Sequence, residues 1–222
     1  MGNYTYENFQ SYLKLETYNR DDLESPTDYY ALWINQAYIN LATRKDLYFP
    51  ELEKFASATT ADGVAYVEIP EKTLFVRTVF DDDNGTKLVR ISWLNYIKKT
   101  DRDDSDAEGK PTKWVHSGGG TDRGRVYLYQ TPDDAYDLTV YYRAVPDRLA
   151  NDADTTDIGE EWDEIILKLA VSQSLARLKE YDKAKEEKEI VDDMIKNLKG
   201  VYDRENIDRN DILKPHPGYL RR

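Results

Sequence analysis

The spacing of apolar residues along the chain changes period twice, and each change predicts a boundary. Over residues 5–18, Tyr6, Phe9 and Leu13 share one helical stripe, which predicts a short amphipathic helix. A turn through Asn19–Glu24 follows. Ser25-Pro26 then reads as a helix start, with Ser25 as N-cap, Pro26 at the first helical position and Asp28 in a capping-box place. This second helix is expected over 26–45, with Tyr30, Ile34, Tyr38 and Leu41 forming one buried row that Leu32, Trp33 and Ala37 widen.

From Pro50 the period drops to two, the signature of strands. In "VAYVEIP", Ala65, Val67 and Ile69 alternate with Val64, Tyr66 and Glu68. "TLFVRTVF" and "KLVRISW" flank "DDDNG", whose Asn84-Gly85 predicts a hairpin because both residues tolerate positive φ. A short helical turn is expected at Trp93–Lys99, then an acidic loop over 100–110. Further strands are expected at Thr112–His116, Arg125–Gln130 and Leu138–Ala144. After Pro146 helical spacing returns, with Trp162, Ile165, Ile166, Leu169 and Ala176 on one stripe and Ile190, Val191, Met194, Ile195 and Leu198 on another. The polar interval "KEYDKAKEEKE" between them predicts two helices, 159–180 and 184–199, with a turn near Tyr181–Lys183 and a stop at Gly200.

These patterns predict an α+β fold: a helical bundle from 1–50 and 146–200, a β-rich insert over 51–145, and an extended C-terminal arm over 201–222. The arm lacks a sustained stripe, and Pro215 and Pro217 forbid a regular helix at its end. It nonetheless keeps Ile212, Leu213, Tyr219 and Leu220, which a purely solvating tail does not need. With Lys214, Pro215, Arg221 and Arg222, these residues are expected to form a partner interface.

The net charge of −12 over 222 residues argues against a general nucleic-acid binder, whose footprint is a basic face. Eighteen tyrosines exceed what a core of this size needs, and tyrosine is enriched at interfaces. No apolar run is long enough to span a bilayer, and the start "MGNYTYENFQ" lacks the pattern of a secretory signal. The absence of cysteine excludes disulfides and thiolate metal sites and suits a reducing cytoplasm.

The candidate chemistry is thin. Gly119 and Gly124 in "SGGGTDRG" have the spacing of a phosphate-binding loop, but Arg125-Val126 stand where Lys and a hydroxyl residue are required. Alternation of Val126 and Leu128 with Tyr127 and Tyr129 predicts a strand next, so the glycines form a turn. "DDDNG" fails as a calcium loop because Phe80 and Ile91 fall at ligand positions. His116 and His216 are the two histidines, and no serine sits in a nucleophile elbow. The acids from Asp152 to Glu164 read as a solvated helix start that complements the helix dipole. No enzyme, cofactor or metal site is expected.

One family matches the order of these signals. The pieces that carry it are "WINQAYINLATRKDLYFPE", "EIP" before the hairpin, "GKPTKW", "RVYLYQTPDDAYDLTVYYRAVP" and "DTTDIGEEWDEIILKLAVSQSLARL", within a likeness that covers about residues 25–200. In that order and spacing the chain resembles the head-to-tail adaptor (connector) proteins of tailed bacteriophages. The resemblance implies a virion component, assembled in the host cytoplasm, that forms a homo-oligomeric ring, a dodecamer, beneath the portal. Its implied partners are the portal protein, further copies of itself and tail or neck proteins. Packaged double-stranded DNA would pass through without sequence-specific binding, and no membrane is involved. A lumen rich in acids would let DNA slide. A neck stopper or tail-completion protein is the nearest alternative, and a carboxylate-based glycan-binding or hydrolytic domain is the alternative from another class.

Overall fold

The computed structural model describes residues 4–18, 20, 23, 28–100, 108–116 and 124–212, with side chains described as far as 199. In chain order its elements are α1 (Tyr6–Glu16), α2 (Tyr29–Ala42), β1 (Glu53–Thr59), β2 (Tyr66–Glu68), β3 (Thr73–Asp81), β4 (Thr86–Lys87), β5 (Val89–Arg90), α3 (Trp93–Thr100), β6 (Lys113–His116), β7 (Arg125–Tyr129), β8 (Asp137–Ala144), α4 (Asp163–Arg177) and α5 (Tyr181–Ile212). Short 3-10 turns at Pro50–Leu52 and Glu160–Trp162 precede β1 and α4. The chain is α+β and divides into two compact units, Met1–Phe49 with Asp147–Arg222, and Pro50–Pro146.

In the helical unit, α1 starts with a capping box. The Thr5 hydroxyl accepts from the Asn8 amide at 3.3 Å, and the Asn8 side chain accepts from the Thr5 amide at 3.1 Å. Tyr6, Phe9 and Leu13 are buried, the stripe that the spacing predicts. The expected start of α2 at Ser25-Pro26 lies outside the described residues. The helix begins instead at Tyr29, with Asp28 as N-cap accepting from the Ala31 amide at 2.9 Å. Tyr30, Ile34, Tyr38 and Leu41 form the buried row, flanked by Trp33 and Ala37. Leu32, expected to widen that row, is exposed because the packed arc of α2 ends at Trp33. Helix α4 packs on α1, α2 and α5. Each of its fully buried Ile165 and Ile166 side chains contributes about 1.5–3 kcal/mol of burial.

Two stripes differ from expectation. In α4 the buried line ends at Ala170, Val171, Ser174 and Leu175, and Ala176 faces solvent. In α5 it runs through Ala184, Val191 and Ile195, leaving Ile190 exposed. The break between the helices falls at Leu178–Glu180, where Lys179 takes a positive φ of 65°, rather than at 181–183. Nor does α5 stop at Gly200: it continues to Ile212, so the first part of the expected extended arm is helical. One interior glycine costs about 1 kcal/mol against alanine, which a long helix absorbs when no proline follows before Pro215.

Polar anchors hold the two chain segments of this unit together. The Tyr4 amide donates to Asp163 Oδ2 at 2.7 Å, and the Tyr6 amide donates to the Asp154 carbonyl at 2.8 Å. Asn35 clasps the Leu149 backbone, donating to its carbonyl at 3.0 Å and accepting from its amide at 2.8 Å. The phenol of the buried Tyr38 accepts from the Asp157 amide at 2.7 Å, and burial pushes that phenol well above its ordinary pKa.

The second unit is built from two four-stranded sheets, ordered β1-β8-β3-β4 and β2-β7-β6-β5. Their facing sides share one core: Val76, Val79, Leu138 and Val140 from the first sheet, Val67, Trp114, Val126 and Leu128 from the second. The Asn84-Gly85 turn joins β3 to β4 as the pattern predicts, with Gly85 at φ +60°. "KLVRISW" is not one strand, however. Leu88 is buried and its carbonyl accepts from Trp114 Nε1 at 3.3 Å; beyond it, Val89–Arg90 pairs in parallel with β6 in the other sheet. The strands β6 and β7 run antiparallel with His116 opposite Val126. Gly124, just before β7, lies so close to the end of β2 that a Cβ would stand 2.9 Å from the Ile69 carbonyl.

Two buried carboxylates yield predictions of opposite sign. Burial pushes the Asp163 carboxyl above its ordinary range, and the bonds from Tyr4 and Thr156 only partly offset this. An acid raised on folding contributes stability at low pH that is lost as pH rises from about 4, the unfolded value, through the raised one. Asparagine can accept from Tyr4 and donate to Thr156, whose hydroxyl proton is shared with the Ile158 carbonyl. Asp163→Asn should therefore flatten that loss in a denaturation series across pH, whereas Asp163→Ala should cost about 1–3 kcal/mol at neutral pH. Identical pH slopes for wild type and Asp163→Asn would contradict this account.

Asp81 behaves in the other direction. Burial pushes its carboxyl up, but the bonds from Lys110 and from the Asn84 side chain and amide together outweigh it and hold it below the usual carboxylate range. Its contribution is present above the unfolded pKa near ~4 and is lost as pH falls through the depressed one. Lys110 is partly solvated, so Asp81→Ala should cost about 1–3 kcal/mol, less than a fully buried pair would, read as a shift in urea midpoint.

Candidate interaction surfaces

The acid clusters that looked like candidate chemistry mostly hold backbone. Of "DDD", Asp81 bonds the turn, Asp82 accepts from the Thr139 hydroxyl at 2.6 Å, and Asp83 accepts from the Asp137 amide at 2.9 Å. The three carboxylates thus fasten the β3–β4 turn to itself and to β8. Asp154 accepts from the amides of Ala150 and Asn151, both at 2.8 Å, and these bonds hold its carboxyl below the ordinary value. Asp163, expected within a solvated helix start, is buried. His116 ends β6 and is half-buried. Among the described residues no three His, Asp or Glu side chains gather to hold a metal ion, and no helix is long and apolar enough to cross a membrane.

What remains is surface. On α2, the exposed Leu32 with Ala31, Asn35, Gln36, Ile39 and Arg148 lines an open groove of about 470 Å³. On the outer side of the first sheet, Phe55 of β1 is 70% exposed beside Tyr141 of β8, their rings 6.3 Å apart, and Phe80 meets Tyr141 edge-on at 5.8 Å. Beside them Arg77 grips Glu53 through two bonds of 2.7 Å.

The outer side of the second sheet is more elaborate. Pairing sets Val89, Lys113 and Tyr129 in one row, and Tyr66 beside Tyr127 in another. Helix α3 lies over these rows: Trp93 stacks on Tyr96 at 5.5 Å, and both touch Tyr127, at 5.3 and 5.8 Å. Burial raises the Tyr96 phenol above its ordinary pKa. Lys99 and Lys113 sit against the Tyr129 ring, at 4.9 and 5.1 Å. With its inner side spent on the sheet, α3 turns Leu94 and Ile97 outward. The sequence marked this stretch only as a helical turn. The signal available was the i, i+3, i+4 spacing of Trp93, Tyr96 and Ile97 against Lys98-Lys99.

Of the expected interface residues, Ile212 is the last residue of α5. Leu213, Lys214, Pro215, Tyr219, Leu220, Arg221 and Arg222 lie outside the described residues, as does the glycine turn at 117–123.

No curated protein matches the chain. The model of one family does match, and it runs without interruption from the first turn of α1, through the whole β unit, into α5. Over residues 5–208 this is the family described as the SU10 adaptor protein, and the chain belongs to that family.

Proposed function

We propose that the protein is a structural head-to-tail adaptor of a tailed phage, forming a ring beneath the portal that joins the capsid to the tail and surrounds the DNA channel. The observation that carries this reading is the family match across both units. The structure is in keeping with it: acids are spent on scaffolding, while aromatic and aliphatic side chains are held out on three surfaces. A net charge of −12 suits a conduit, because an acidic wall repels phosphates and lets DNA slide. The adaptor acts without catalysis. Its partners are the portal, tail or neck proteins and further copies of itself, a dodecamer by analogy with other connectors.

The division of labour follows the chain. The helical segments 1–50 and 146–200 form the ring-building bundle, and 51–145 is an insert carried on it. The end of the chain, with Ile212, Leu213, Lys214, Pro215, Tyr219, Leu220, Arg221 and Arg222, serves as the docking arm on the portal or the adjacent subunit. Prolines restrict the free arm, so less conformational entropy is lost on docking.

Co-sedimentation with purified portal rings tests the function. The full chain should travel with the portal, and neck particles imaged by electron microscopy should show a collar of it; absence from the collar would end the adaptor reading. Deleting residues 213–222 should leave helix content unchanged in circular dichroism. The same deletion should weaken portal binding at least about tenfold, or ~1.4 kcal/mol, and make it less salt-sensitive. Unchanged binding by the shortened chain would remove the arm from the interface.

A further inference from the structure

On a chain this acidic, the α3 surface stands apart. Trp93, Leu94 and Ile97 are 43, 61 and 36% exposed, and Val89 beside them is 59% exposed. The cations around this apolar strip are Lys98, Lys99 and Lys113. None of them makes an ion pair with a described carboxylate; Lys99 and Lys113 rest on the Tyr129 ring and Lys98 projects from the helix. Charge next to exposed apolar area marks a docking surface whose partner is itself acidic and apolar. DNA fits poorly, since a net charge of −12 repels a polyanion and Leu94 and Ile97 have nothing to gain from phosphates.

The helical unit carries a surface of the complementary kind. Where α1 and α4 begin, the Tyr4 ring lies 5.4 Å from that of Tyr12, which is 45% exposed. The Tyr4 amide is fixed to Asp163, one residue from the exposed Glu164. Burial first, and then the Tyr12 and Glu164 charges, push the Tyr4 phenol up. Glu160 adds a second exposed acid, and the run Asp152–Glu164 contains no base.

We propose that the α3 face of one copy, through Trp93, Leu94, Ile97 and Lys98, docks on the Tyr4–Tyr12–Glu164 surface of a second copy. The two surfaces differ, so the contact is heterologous: each copy uses one to receive and the other to donate, and the contact repeats from copy to copy. Apolar contact between Leu94, Ile97 and Tyr12 supplies adhesion, and Lys98 against Glu164 sets the register. This deepens the adaptor reading and rests on it for the expectation that copies associate at all.

The chain has no cysteine, so single cysteines introduced into the full-length protein are the sole targets of a short bis-maleimide. Leu94→Cys and Tyr12→Cys are made separately and mixed at a concentration where wild type sediments as an oligomer. The mixed pair should give a cross-linked dimer several-fold above either variant alone and above Leu94→Cys mixed with Ile190→Cys, a control on the exposed side of α5. Lys98→Glu should weaken sedimentation as an oligomer, and adding Glu164→Lys to the same chain should restore it. Cross-linking no better than the control, no rescue by the reversed charge pair, or a wild type that stays monomeric at every concentration would each overturn the interface. Portal co-sedimentation of the wild type reports separately on the adaptor reading. If portal binding persists without the cross-link, the interface alone fails; if the cross-link forms without portal binding, the adaptor reading fails.

Discussion

The helical unit is made from two pieces of chain with nearly a hundred residues between them, and closing it is the constraint on which the rest depends. Closing a loop of that length costs entropy, though the cost grows only slowly with length, and contacts between the two segments must offset it. The returning segment is therefore caught at several points at once. Asn35 holds Leu149, Tyr38 holds Asp157, and the backbone of Tyr4 and Tyr6 is bonded to Asp163 and Asp154. These are directional bonds in a partly dry setting, so they fix the angle at which α4 enters as well as its position. Once α4 is set, α1, α2 and α5 all pack on it, with its two isoleucines fully buried.

The same economy of polar groups shapes the β unit. Two short sheets share a single core only if the chain can pass from one to the other without leaving backbone groups dry. Leu88 does this, with its side chain in the core and its carbonyl bonded to Trp114. The acids of the β3–β4 turn tie that corner to β8. What is left over after both units are satisfied is aromatic and aliphatic surface on β1, β8, α2 and α3.

Much of this was legible in the chain. The stripe of α1, the buried row of α2, the Asn84-Gly85 hairpin and the strand after the glycine turn all follow from one-dimensional spacing, because each buries one face and spacing reports faces. Spacing misled where a face is only half used. Leu32 and Ile190 have the right period but sit at the edge of the packed arc, and Gly200 reads as a stop in a helix that runs on to Ile212.

What the tertiary structure alone decided is which polar residues are inside and which apolar ones are outside. Asp163 and Glu164 are adjacent acids at one helix start; one is buried under Tyr4 and the other is solvated. Leu88 and Val89 are adjacent aliphatics; one seals a core and the other lies open. Sequence determines the alphabet of elements, because helix and strand formation depend on neighbours a few residues away. It is silent on partners a hundred residues away, and those partners decide whether a carboxylate is scaffolding and whether a leucine belongs to the core or to a contact surface.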